Sequence, residues 1–514
     1  MEEFKRTVVI SPAPTANGDL HVGHLAGPFL AADVCVRFAR SLNREALLAT
    51  GMHFTQNYVV TTAKRLGVDP EELRLRSADE VSRTLAALGI DIDAFGCVDD
   101  RFVKMVVNFY DRLRAKDKLV LKSVKLPYSS ATGEFLTDSY VRGTCPFCLA
   151  ENCAGLCESC AHPILPGDLI DPRSTLDPDD PVTYREARVL VFPVEDYRAE
   201  LEEYFARQRP RMRPRMALLI DKLLSEPLVD AIITQPITWG IPAPFPDTTG
   251  QVVYADLEGM PWSMYCTALA AEAHGAVLSA DDELWLAGSG TRVVYFLGTD
   301  AVYPFAVVGT AMLIALGDYV LADQWVSNEF YELSNEKFST SRGHVISGRD
   351  LVAEVPRDLV RFHLSVTGPE FQRTDFTREA LDRITTLRLV DPWNRVVDKV
   401  DEWVGQGPFP VSAASRAVGY RIFERFRDDF DLAHFSLTHA AHTITEQLAR
   451  LDRRQVTAED VGDFCYEVEV FLRCAAPILI DLAAEALPDT VLAEPEGATQ
   501  YTPIKLPRLT GVGG

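Results

Sequence analysis

Long apolar runs and basic charge are what this sequence lacks. No segment of about 18 consecutive apolar residues occurs and the N-terminus has no signal-peptide core, so we expect a cytoplasmic protein without a membrane contact. Only 51 Lys and Arg residues stand against 74 Asp and Glu residues, a net charge of −23. A broad nucleic-acid-binding surface needs clustered Lys and Arg, so this composition disfavours one. The alternating arginines of residues 207–215 leave open a local basic patch or, alternatively, a solvated loop.

Cysteine is also sparse, with ten residues in 514, and five of these lie between positions 145 and 160. This distribution fits one metal site in a reducing compartment better than a disulfide framework. Cys145 and Cys148 form one C-x2-C pair, and Cys157 and Cys160 form a second pair eight residues later. Four thiolates at this spacing predict a closed Zn²⁺ site that serves folding, with a metal-free knuckle or a redox pair as alternatives. Cys153, inside the loop, is not expected to be a ligand.

The chain opens with a nucleotide-binding pattern. Residues 11–24, SPAPTANGDLHVGH, follow the apolar run at 8–10 and precede an apolar-periodic segment at 25–39. This order predicts a buried strand, a loop and a helix, as at the start of a nucleotide-binding α/β sheet. His21 and His24 flank Gly23 where the loop enters the helix, so both imidazoles and several backbone N–H groups can face one polyphosphate. Taken alone, the motif also fits two surface histidines at a helix start.

A second pattern, EKFSTSRG at residues 336–343, is a Lys- and hydroxyl-rich loop of the kind that folds over a triphosphate. Taken alone, such a loop usually faces water. Together, however, the two patterns resemble the paired signatures of class I aminoacyl-tRNA synthetases, with HVGH for the HIGH motif and KFSTS for the KMSKS motif. The stretch PAPTANGDLHVGH is most similar to the methionyl-tRNA synthetase branch.

This resemblance implies an α/β fold: a class I synthetase Rossmann-type parallel sheet with a zinc-knuckle insertion and a C-terminal α-helical bundle. A chain of 514 residues has room for several domains. The expected segments are 1–115, the first half of the Rossmann domain; 116–245, an insertion with the knuckle at about 140–165; 246–330, its second half; 331–385, the KMSKS-like loop and linker; and 386–514, an anticodon-binding-like bundle with a linker-like tail from residue 495.

The resemblance also implies an ATP site with Mg²⁺ on the pyrophosphate. His21, His24 and Lys337 are the expected catalytic residues. Lys337 would neutralise the β- and γ-phosphates, whereas Thr340 replaces the family's second lysine and Arg342 can compensate for it. The expected ATP-binding residues are Pro14, Asn17, His21, Gly23, His24, Gly298, Asp300, Lys337, Ser339 and Ser341, among which Asp300 would accept the ribose hydroxyls.

The expected amino-acid pocket departs from the methionyl pattern. It comprises Ala13, Thr15, Gly51, His53, Tyr254, Leu257, Glu258, Ala301 and Phe305. The family carries at the position of Gly51 an Asp that holds the substrate's α-ammonium, and a Pro at that of Glu258. Losing such a carboxylate costs about 1.5 to 3 kcal/mol. Glu258 either faces solvent or binds an amine in place of the lost Asp.

The function expected first is activation of an amino acid other than methionine as its adenylate. Its transfer would go to a non-tRNA acceptor, a small molecule such as a hydroxylamine in hydrazine biosynthesis or a protein, with a separate cupin-type partner. One alternative is a methionine–tRNA ligase of protein synthesis, and the other is a non-catalytic nucleotide- or RNA-binding regulator. A tRNA partner is doubted because Ile478 stands where the family has an anticodon-stacking Trp, and stacking is worth about 1 to 3 kcal/mol.

Overall fold

A computed structural model describes residues 4–165, 167–333, 336–337 (backbone only), 345–492 and 499–513. Its strands are β1 (Arg6–Ile10), β2 (Ala46–Gly51), β3 (Ala94–Gly96), β4 (Val120–Tyr128), β5 (Val141–Thr144), β6 (Glu151–Cys153), β7 (Gly155–Leu156), β8 (Pro163–Ile164), β9 (Ile170–Ser174), β10 (Thr183–Phe192), β11 (Ala231–Ile232), β12 (Thr234–Gln235), β13 (Val252–Val253), β14 (Thr291–Gly298), β15 (Gln324–Asn328), β16 (Tyr331–Leu333), β17 (Glu336–Lys337), β18 (Thr374–Phe376), β19 (Phe409–Pro410) and β20 (Gln500–Tyr501).

The α-helices are α1 (Val22–His24), α2 (Leu30–Ser41), α3 (Tyr58–Leu66), α4 (Pro70–Ala87), α5 (Asp100–Ala115), α6 (Arg198–Gln208), α7 (Pro214–Ser225), α8 (Gly259–Ala273), α9 (Thr310–Leu316), α10 (Gly348–Glu354), α11 (Arg357–Thr367), α12 (Arg378–Thr385), α13 (Asp391–Asp401), α14 (Ala413–Phe430), α15 (Leu437–Arg453), α16 (Val461–Ala475) and α17 (Ile480–Ala486). Three π-helical segments, Leu25–Phe29, Val302–Gly309 and Thr386–Val390, each run directly into the α-helix that follows. The helix expected at 25–39 therefore begins with a π-helical turn, which contains Pro28.

The chain forms two compact units, and the first comprises Met1–Asp19, Leu47–Ser82 and Ile92–Ser327. Its central sheet has the strand order β15-β14-β1-β2-β3. The pairs β1–β14 and β2–β3 are parallel. Strands buried on both faces are apolar throughout rather than alternating, as the fully buried Val8, Val9 and Ile10 illustrate. The parallel α/β sheet expected from the sequence is confirmed.

An insertion separates the two halves of this sheet, since β4 to β13 lie in sequence between β3 and β14. Within it β10 pairs antiparallel with β4 and β11, and β5 pairs antiparallel with β6 and β9 around the cysteine-rich segment. The first unit's main core is formed by the sheet, α5, α8, α9 and the helices of the insertion. It reaches the loops that follow β1 and β14, where Ala13, Ala301 and Phe305 pack against it half-buried.

The second unit comprises Leu20–Ala46, Arg83–Asp91 and Asn328–Gly514 and is mainly helical. Helix α14 packs against α16, and α15 packs against α11 and α13. These helices confirm the C-terminal bundle. The finer five-segment division stays a prediction, because the two compact units are interleaved along the sequence.

A buried ion pair fixes α2 within this unit. The Arg361 guanidinium, on α11, is 0% exposed and donates to an Asp33 carboxylate oxygen at 2.7 Å. It also donates to the carbonyl oxygens of Leu88, Pro477 and Ile478 at 2.6 to 3.2 Å. Because Ile478 is fully buried, position 478 belongs to the core. That the family has a base-stacking tryptophan at this position stays a prediction.

The end of the chain packs against the bundle instead of forming the linker expected from its composition. The Trp393 indole N–H donates to the carbonyl oxygen of Pro507 at 2.8 Å. The side chain of Asn394 exchanges two hydrogen bonds with the backbone of Leu509, at 2.9 and 3.0 Å. Strand β20 also pairs antiparallel with β19. Residues 499–509 therefore belong to the folded unit.

Two helical stretches within the described residues are long and apolar enough to cross a membrane, although the sequence has no uninterrupted apolar run. Val22–Ser41 has a mean hydropathy of 1.2 and Thr299–Leu316 one of 1.6. Each is 72% buried inside the protein. Core helices of soluble proteins pass the same test, so these stretches are weak evidence for a membrane.

Candidate active site

In the first unit, the loop after β1 is joined to the loop after β2. The His53 N–H donates to the Pro14 carbonyl oxygen at 2.9 Å, and the Ala16 N–H donates to the His53 carbonyl oxygen at 3.0 Å. The Thr15 hydroxyl donates to the Gln56 amide oxygen. Ligands of open α/β sheets bind at the carboxyl ends of the strands, where these loops lie. The structure therefore brings together Pro14, predicted for the ATP site, and Thr15 and His53, predicted for the amino-acid pocket.

Gly51, the last residue of β2, lies opposite Gly96 of β3. A Cβ on Gly51 would lie 2.3 Å from the carbonyl oxygen of Gly96 and 2.7 Å from its Cα. Both contacts are with backbone atoms of a paired strand, so no side chain fits here without moving β3. The glycine is therefore required by the sheet itself, and the family's Asp does not fit this backbone.

Glu258 lies beside the loop that follows β2. Its side chain is 1% exposed, so the alternative that it faces solvent is wrong. The Thr55 hydroxyl donates to Oε2 at 2.6 Å, and His53 Nε2 lies 3.6 Å from the same oxygen, beyond hydrogen-bond reach. Neither Glu258 Oε1 nor His53 Nε2 has a hydrogen-bond partner among the described residues. Burial raises the pKa of Glu258 above its ordinary value.

Two further carboxylates of this region, Asp256 and Asp138, are linked through Tyr254. Asp256 accepts hydrogen bonds from the Gln56 amide at 2.5 Å and the Tyr254 hydroxyl at 2.8 Å. The Tyr254 oxygen also lies 2.9 Å from Asp138 Oδ1. Burial, together with the charge of Asp256, raises the pKa of Asp138 to about 8. Since the tyrosine has one proton, a protonated Asp138 that donates to the Tyr254 oxygen satisfies all three groups at neutral pH.

The remaining pocket residues lie on neighbouring turns. The 3-10 turn Ala255–Leu257 packs against Val302–Gly309, the segment that carries Phe305. A Cβ on Gly259 would lie 2.7 Å from the Phe305 ring, so the ring covers the start of α8. Tyr254 and Leu257 line an open pocket together with residues of the insertion. The side chain of Tyr303 closes another part of the wall, and its buried hydroxyl has no partner among the described residues.

Two of the expected ATP contacts in this unit, Gly298 and Asp300, are adjacent. A Cβ on Gly298 would lie 2.4 Å from Asp300 Oδ1, which means that the carboxylate folds over the glycine backbone at the carboxyl end of β14. Asn17 lies in the loop after β1, where its N–H donates to the Thr15 carbonyl oxygen at 2.9 Å. Gly298 therefore ends a strand of the central sheet, and Asn17 and Asp300 follow strands of that sheet.

In the second unit, His21 and His24 form a compact pair. The Gly23 N–H donates to His21 Nδ1 at 3.2 Å, and the His21 N–H donates to His24 Nδ1 at 3.4 Å. The two imidazoles stack with ring centroids 3.9 Å apart and an angle of 26° between their planes. These contacts fix the orientation of both rings.

The same turn is hydrogen-bonded to the chain that follows the second signature. The Val22 N–H donates to the Ile346 carbonyl oxygen at 3.0 Å, and the Gly348 N–H donates to the Leu20 carbonyl oxygen at 3.1 Å. Lys337 lies in β17, opposite Glu332 of β16. The side chain of Lys337, together with Ser339, Thr340, Ser341 and Arg342, lies outside the described residues. The described flanks of the second signature thus belong to the same unit as the histidine pair.

The four cysteines of the knuckle converge as their spacing predicts. All four Sγ atoms of Cys145, Cys148, Cys157 and Cys160 lie within 4.8 Å of one another. The separations Cys145–Cys160 and Cys148–Cys157 are 3.9 and 3.6 Å. A tetrahedron with Zn–S bonds of about 2.3 Å requires S–S separations of about 3.8 Å, so the donor set fits Zn²⁺. Cys153 is not among these ligand candidates.

Hydrogen bonds and burial act differently on the individual thiols of the cluster, because they lower the pKa of Cys157 and raise those of Cys145 and Cys160. The Phe147 N–H donates to Cys145 Sγ at 3.4 Å. A hydrogen bond from the Cys160 thiol, together with backbone donors, lowers the pKa of Cys157 to about 5. Four sulfurs around one ion leave no open coordination position, so such a site would stabilise the fold of the insertion and carry no chemistry.

The arginines of residues 207–215 do not form a free basic patch. They continue from α6 through a 3-10 turn, Arg209–Arg211, into α7. Arg207 pairs with Glu203, Arg209 with Asp221 and Arg211 with Asp323. Arg213 donates to the Ser327 carbonyl oxygen at 2.7 Å. The sequence allowed two interpretations of this segment, a local basic patch or a solvated loop. The structure matches neither, because the segment is helical and most of its arginines are paired.

Sequence reasoning missed four polar residues of this region: Thr55, Gln56, Asp138 and Asp256. Thr55 and Gln56 follow β2 within a few residues of Gly51, so their position at a strand end was an available signal. Asp138 belongs to the insertion and lies in no motif. Only the tertiary fold brings it to Tyr254.

Comparison with known proteins places this geometry in a family. The model of tRNA synthetases class I (M) matches residues 7–400. A methionine–tRNA ligase of Bacteroides fragilis is 28% identical over 402 residues, 77% of this chain and 58% of that protein. One of Porphyromonas gingivalis is 30% identical over 380 residues, 73% of this chain and 55% of that protein. The chain therefore spans less than two thirds of the length of these relatives.

A solved structure has the same fold across the whole chain. The Mycobacterium tuberculosis methionyl-tRNA synthetase in complex with methionyl-adenylate aligns with a TM-score of 0.75 and 19% sequence identity, and 99% of each chain is covered. At this identity the likeness concerns the fold alone. Because the family model covers most of the sequence and a relative reaches 30% identity over 73% of it, this chain belongs to the class I tRNA synthetases (M).

Proposed function

We propose that this chain activates an amino acid with ATP, forming an aminoacyl-adenylate and pyrophosphate. The observation that carries the proposal is the histidine turn, whose neighbours Leu20 and Val22 are hydrogen-bonded to residues 346–348 just after the second signature. A polyphosphate held at this turn would lie next to the described residues 346–348, which follow the second signature. Family membership supports the same reaction. The activity stays a proposal because the chain covers less than two thirds of the length of the relatives reported above.

In this proposal the protein works by positioning and by charge stabilisation. His21 and His24 contact the phosphates, and Asp300 stays the residue predicted for the ribose. Lys337, with Mg²⁺, neutralises charge that develops on the leaving pyrophosphate as the substrate carboxylate attacks the α-phosphate. Preorganised cations of this kind are worth about 10²-fold or more in rate. No side-chain nucleophile is needed. The cytoplasmic location of such an enzyme stays a prediction.

The relatives favour tRNA as the acceptor and methionine as the amino acid, because those reported above are methionine–tRNA ligases. The comparisons give no support for the hydroxylamine acceptor or for a cupin-type partner, which the sequence analysis put first. The methionine–tRNA ligase reaction is therefore the first candidate.

A second candidate, activation of a different amino acid, is favoured by one specific observation. The carboxylate that the family keeps at position 51 does not fit the backbone here, whereas a buried carboxylate is present at position 258. A pocket for a thioether has apolar and aromatic walls. Burying a carboxylate in such a pocket costs roughly several kcal/mol unless a cation pairs with it. Substrate identity is thus the part of the proposal that most needs a measurement.

ATP–pyrophosphate exchange driven by each of the standard amino acids tests the proposal. Methionine-dependent exchange with charging of tRNA supports the first candidate, and exchange with another amino acid supports the second. His21→Ala should lower exchange by about 10²-fold or more, whereas His442→Ala, at an exposed position of α15, is the matched control and should not change it. If no amino acid drives exchange, adenylation is wrong and the regulator alternative gains support.

A further inference from the structure

One buried carboxylate near the proposed amino-acid pocket has an oxygen with no partner. Glu258 is 1% exposed, and its Oε2 accepts a hydrogen bond from Thr55. Oε1 is buried and has no hydrogen-bond partner among the described residues. Buried polar atoms are nearly always paired, so this unpaired carboxylate oxygen requires a partner that the protein itself does not supply within the described residues.

A second unpartnered atom lies close to Glu258. His53 Nε2 is also buried without a hydrogen-bond partner among the described residues, and it lies 3.6 Å from Glu258 Oε2. With its proton on Nδ1, a neutral imidazole accepts a hydrogen bond at Nε2. The carboxylate and the imidazole together offer two acceptors to one donor group.

The chemistry of these acceptors selects an ammonium. A primary ammonium has three N–H donors and a positive charge, which matches one carboxylate oxygen and one imidazole nitrogen. A divalent metal needs a larger set of oxygen ligands. The neighbouring Asp256 is already engaged by Gln56 and Tyr254.

The place of the family's own ammonium ligand is closed in this chain. A side chain at position 51 would collide with the backbone of Gly96, so no acid can be held there. His53 and Thr55, whose side chains lie 3.6 and 2.6 Å from Glu258 Oε2, stand two and four positions after Gly51. The carboxylate of Glu258 is thus presented to the loop that begins where the family's acid would stand.

We propose that Glu258 binds the ammonium group of the amino-acid substrate through Oε1, with His53 Nε2 as a second acceptor. This inference rests on the proposed function for the identity of the substrate, but not for the binding itself. Burial raises the pKa of Glu258, and an ammonium bound at Oε1 would favour the ionised carboxylate. Glu258 would then determine specificity, because it admits only ligands that carry an amine.

The test measures binding without ATP. Thermal shift identifies which of the twenty standard amino acids raises the melting temperature most, and calorimetry then compares that amino acid with its 2-hydroxy-acid analogue. In the wild type, exchange of the amine for a hydroxyl should weaken binding at least tenfold. In Glu258→Gln the ratio of the two dissociation constants, hydroxy acid over amino acid, should fall below threefold, because the charged acceptor is gone. A lysine and norleucine pair shows whether a side-chain ammonium is bound instead of the α-ammonium.

Asp256→Asn is the matched control, since it neutralises the adjacent carboxylate whose oxygens are already paired. It should keep the tenfold ratio. If Glu258→Gln does not fold, Glu258→Asp retains the charge and should keep amine selectivity with weaker binding. A Glu258→Gln ratio equal to that of the wild type overturns the inference, as does a wild type that no amino acid stabilises. Amine-selective binding without pyrophosphate exchange would refute adenylation alone.

Discussion

A side chain at position 51 should force apart two strands of the central sheet. In Gly51→Ala the new Cβ would lie 2.3 Å from the Gly96 carbonyl oxygen, where ordinary contacts begin at 3.4 Å. The strands must therefore separate by roughly 1 Å. Gly96 has little room to retreat, because a Cβ built on it would itself lie 2.4 Å from Cys266 Sγ on α8.

The size of the effect follows from two contributions. Overpacking a close-packed interior costs about 1 to 3 kcal/mol. Separation of the strands also weakens the hydrogen bond from the Met52 N–H to the Gly96 carbonyl oxygen, 2.9 Å long, and such a bond contributes about 1 kcal/mol. Gly51→Ala should therefore lower the free energy of unfolding by about 2 to 4 kcal/mol. Gly51→Asp should lower it further because it also buries a charge.

Urea-induced unfolding followed by circular dichroism and tryptophan fluorescence measures this difference. Gly511→Ala is the matched control, since nothing lies within 4 Å of a Cβ at that position. If Gly51→Ala unfolds within about 0.5 kcal/mol of the wild type, as surface substitutions do, the close approach of β2 and β3 does not constrain position 51. The backbone would then not explain why this chain lacks the family's Asp.

Three further predictions concern the rest of the structure. Metal analysis should find one zinc ion per chain, and Cys148→Ser should lose it and make the knuckle sensitive to protease, since a structural ion contributes directly to folding. Arg361→Leu should lower the free energy of unfolding by about 3 to 5 kcal/mol in urea titrations, because Asp33 and three carbonyl oxygens lose a buried donor. The free energy of unfolding should fall as the pH rises from 4 to 8, because the pKa of Asp138 is about 8 in the folded protein, and Asp138→Asn should make this fall less steep. The slope that it removes is at most about 1.4 kcal/mol per pH unit.

The sign of the pH effect follows from linkage. The pKa of Asp138 is raised by burial from 3.8 to about 8 on folding, so the folded protein holds a proton that the unfolded chain releases. Its contribution to stability is complete below pH 3.8 and is lost as the pH rises through about 8. If the free energy of unfolding changes with pH equally steeply in the wild type and in Asp138→Asn, Asp138 is ionised in the folded protein.

Controls exist for the other two variants. Cys153→Ser should keep the zinc ion, since Cys153 lies outside the four-sulfur cluster. Zinc loss from that variant would contradict the ligand assignment. Arg357→Leu removes an arginine of the same helix that pairs with Asp481 at the surface, and it should cost less than about 1 kcal/mol. If both arginine variants cost the same, the burial of Arg361 does not determine its contribution.

The sequence by itself determined the features that depend on local pattern. The apolar run of β1, the glycines and histidines of residues 11–24, and the C-x2-C pairs predicted the strand, the turn and the four-sulfur cluster. Spacing suffices for these features because each is formed by residues a few positions apart. The helices of the C-terminal bundle likewise follow from apolar periodicity.

Only the tertiary structure decided what depends on distant neighbours. Whether Glu258 faced solvent depended on Thr55 and His53, about 200 residues away along the chain. Gly51 is required because Gly96 lies against it across the sheet, and Ile478 is buried because the helices of the bundle pack around it. Burial and pairing are properties of the space around a residue, which no local pattern contains.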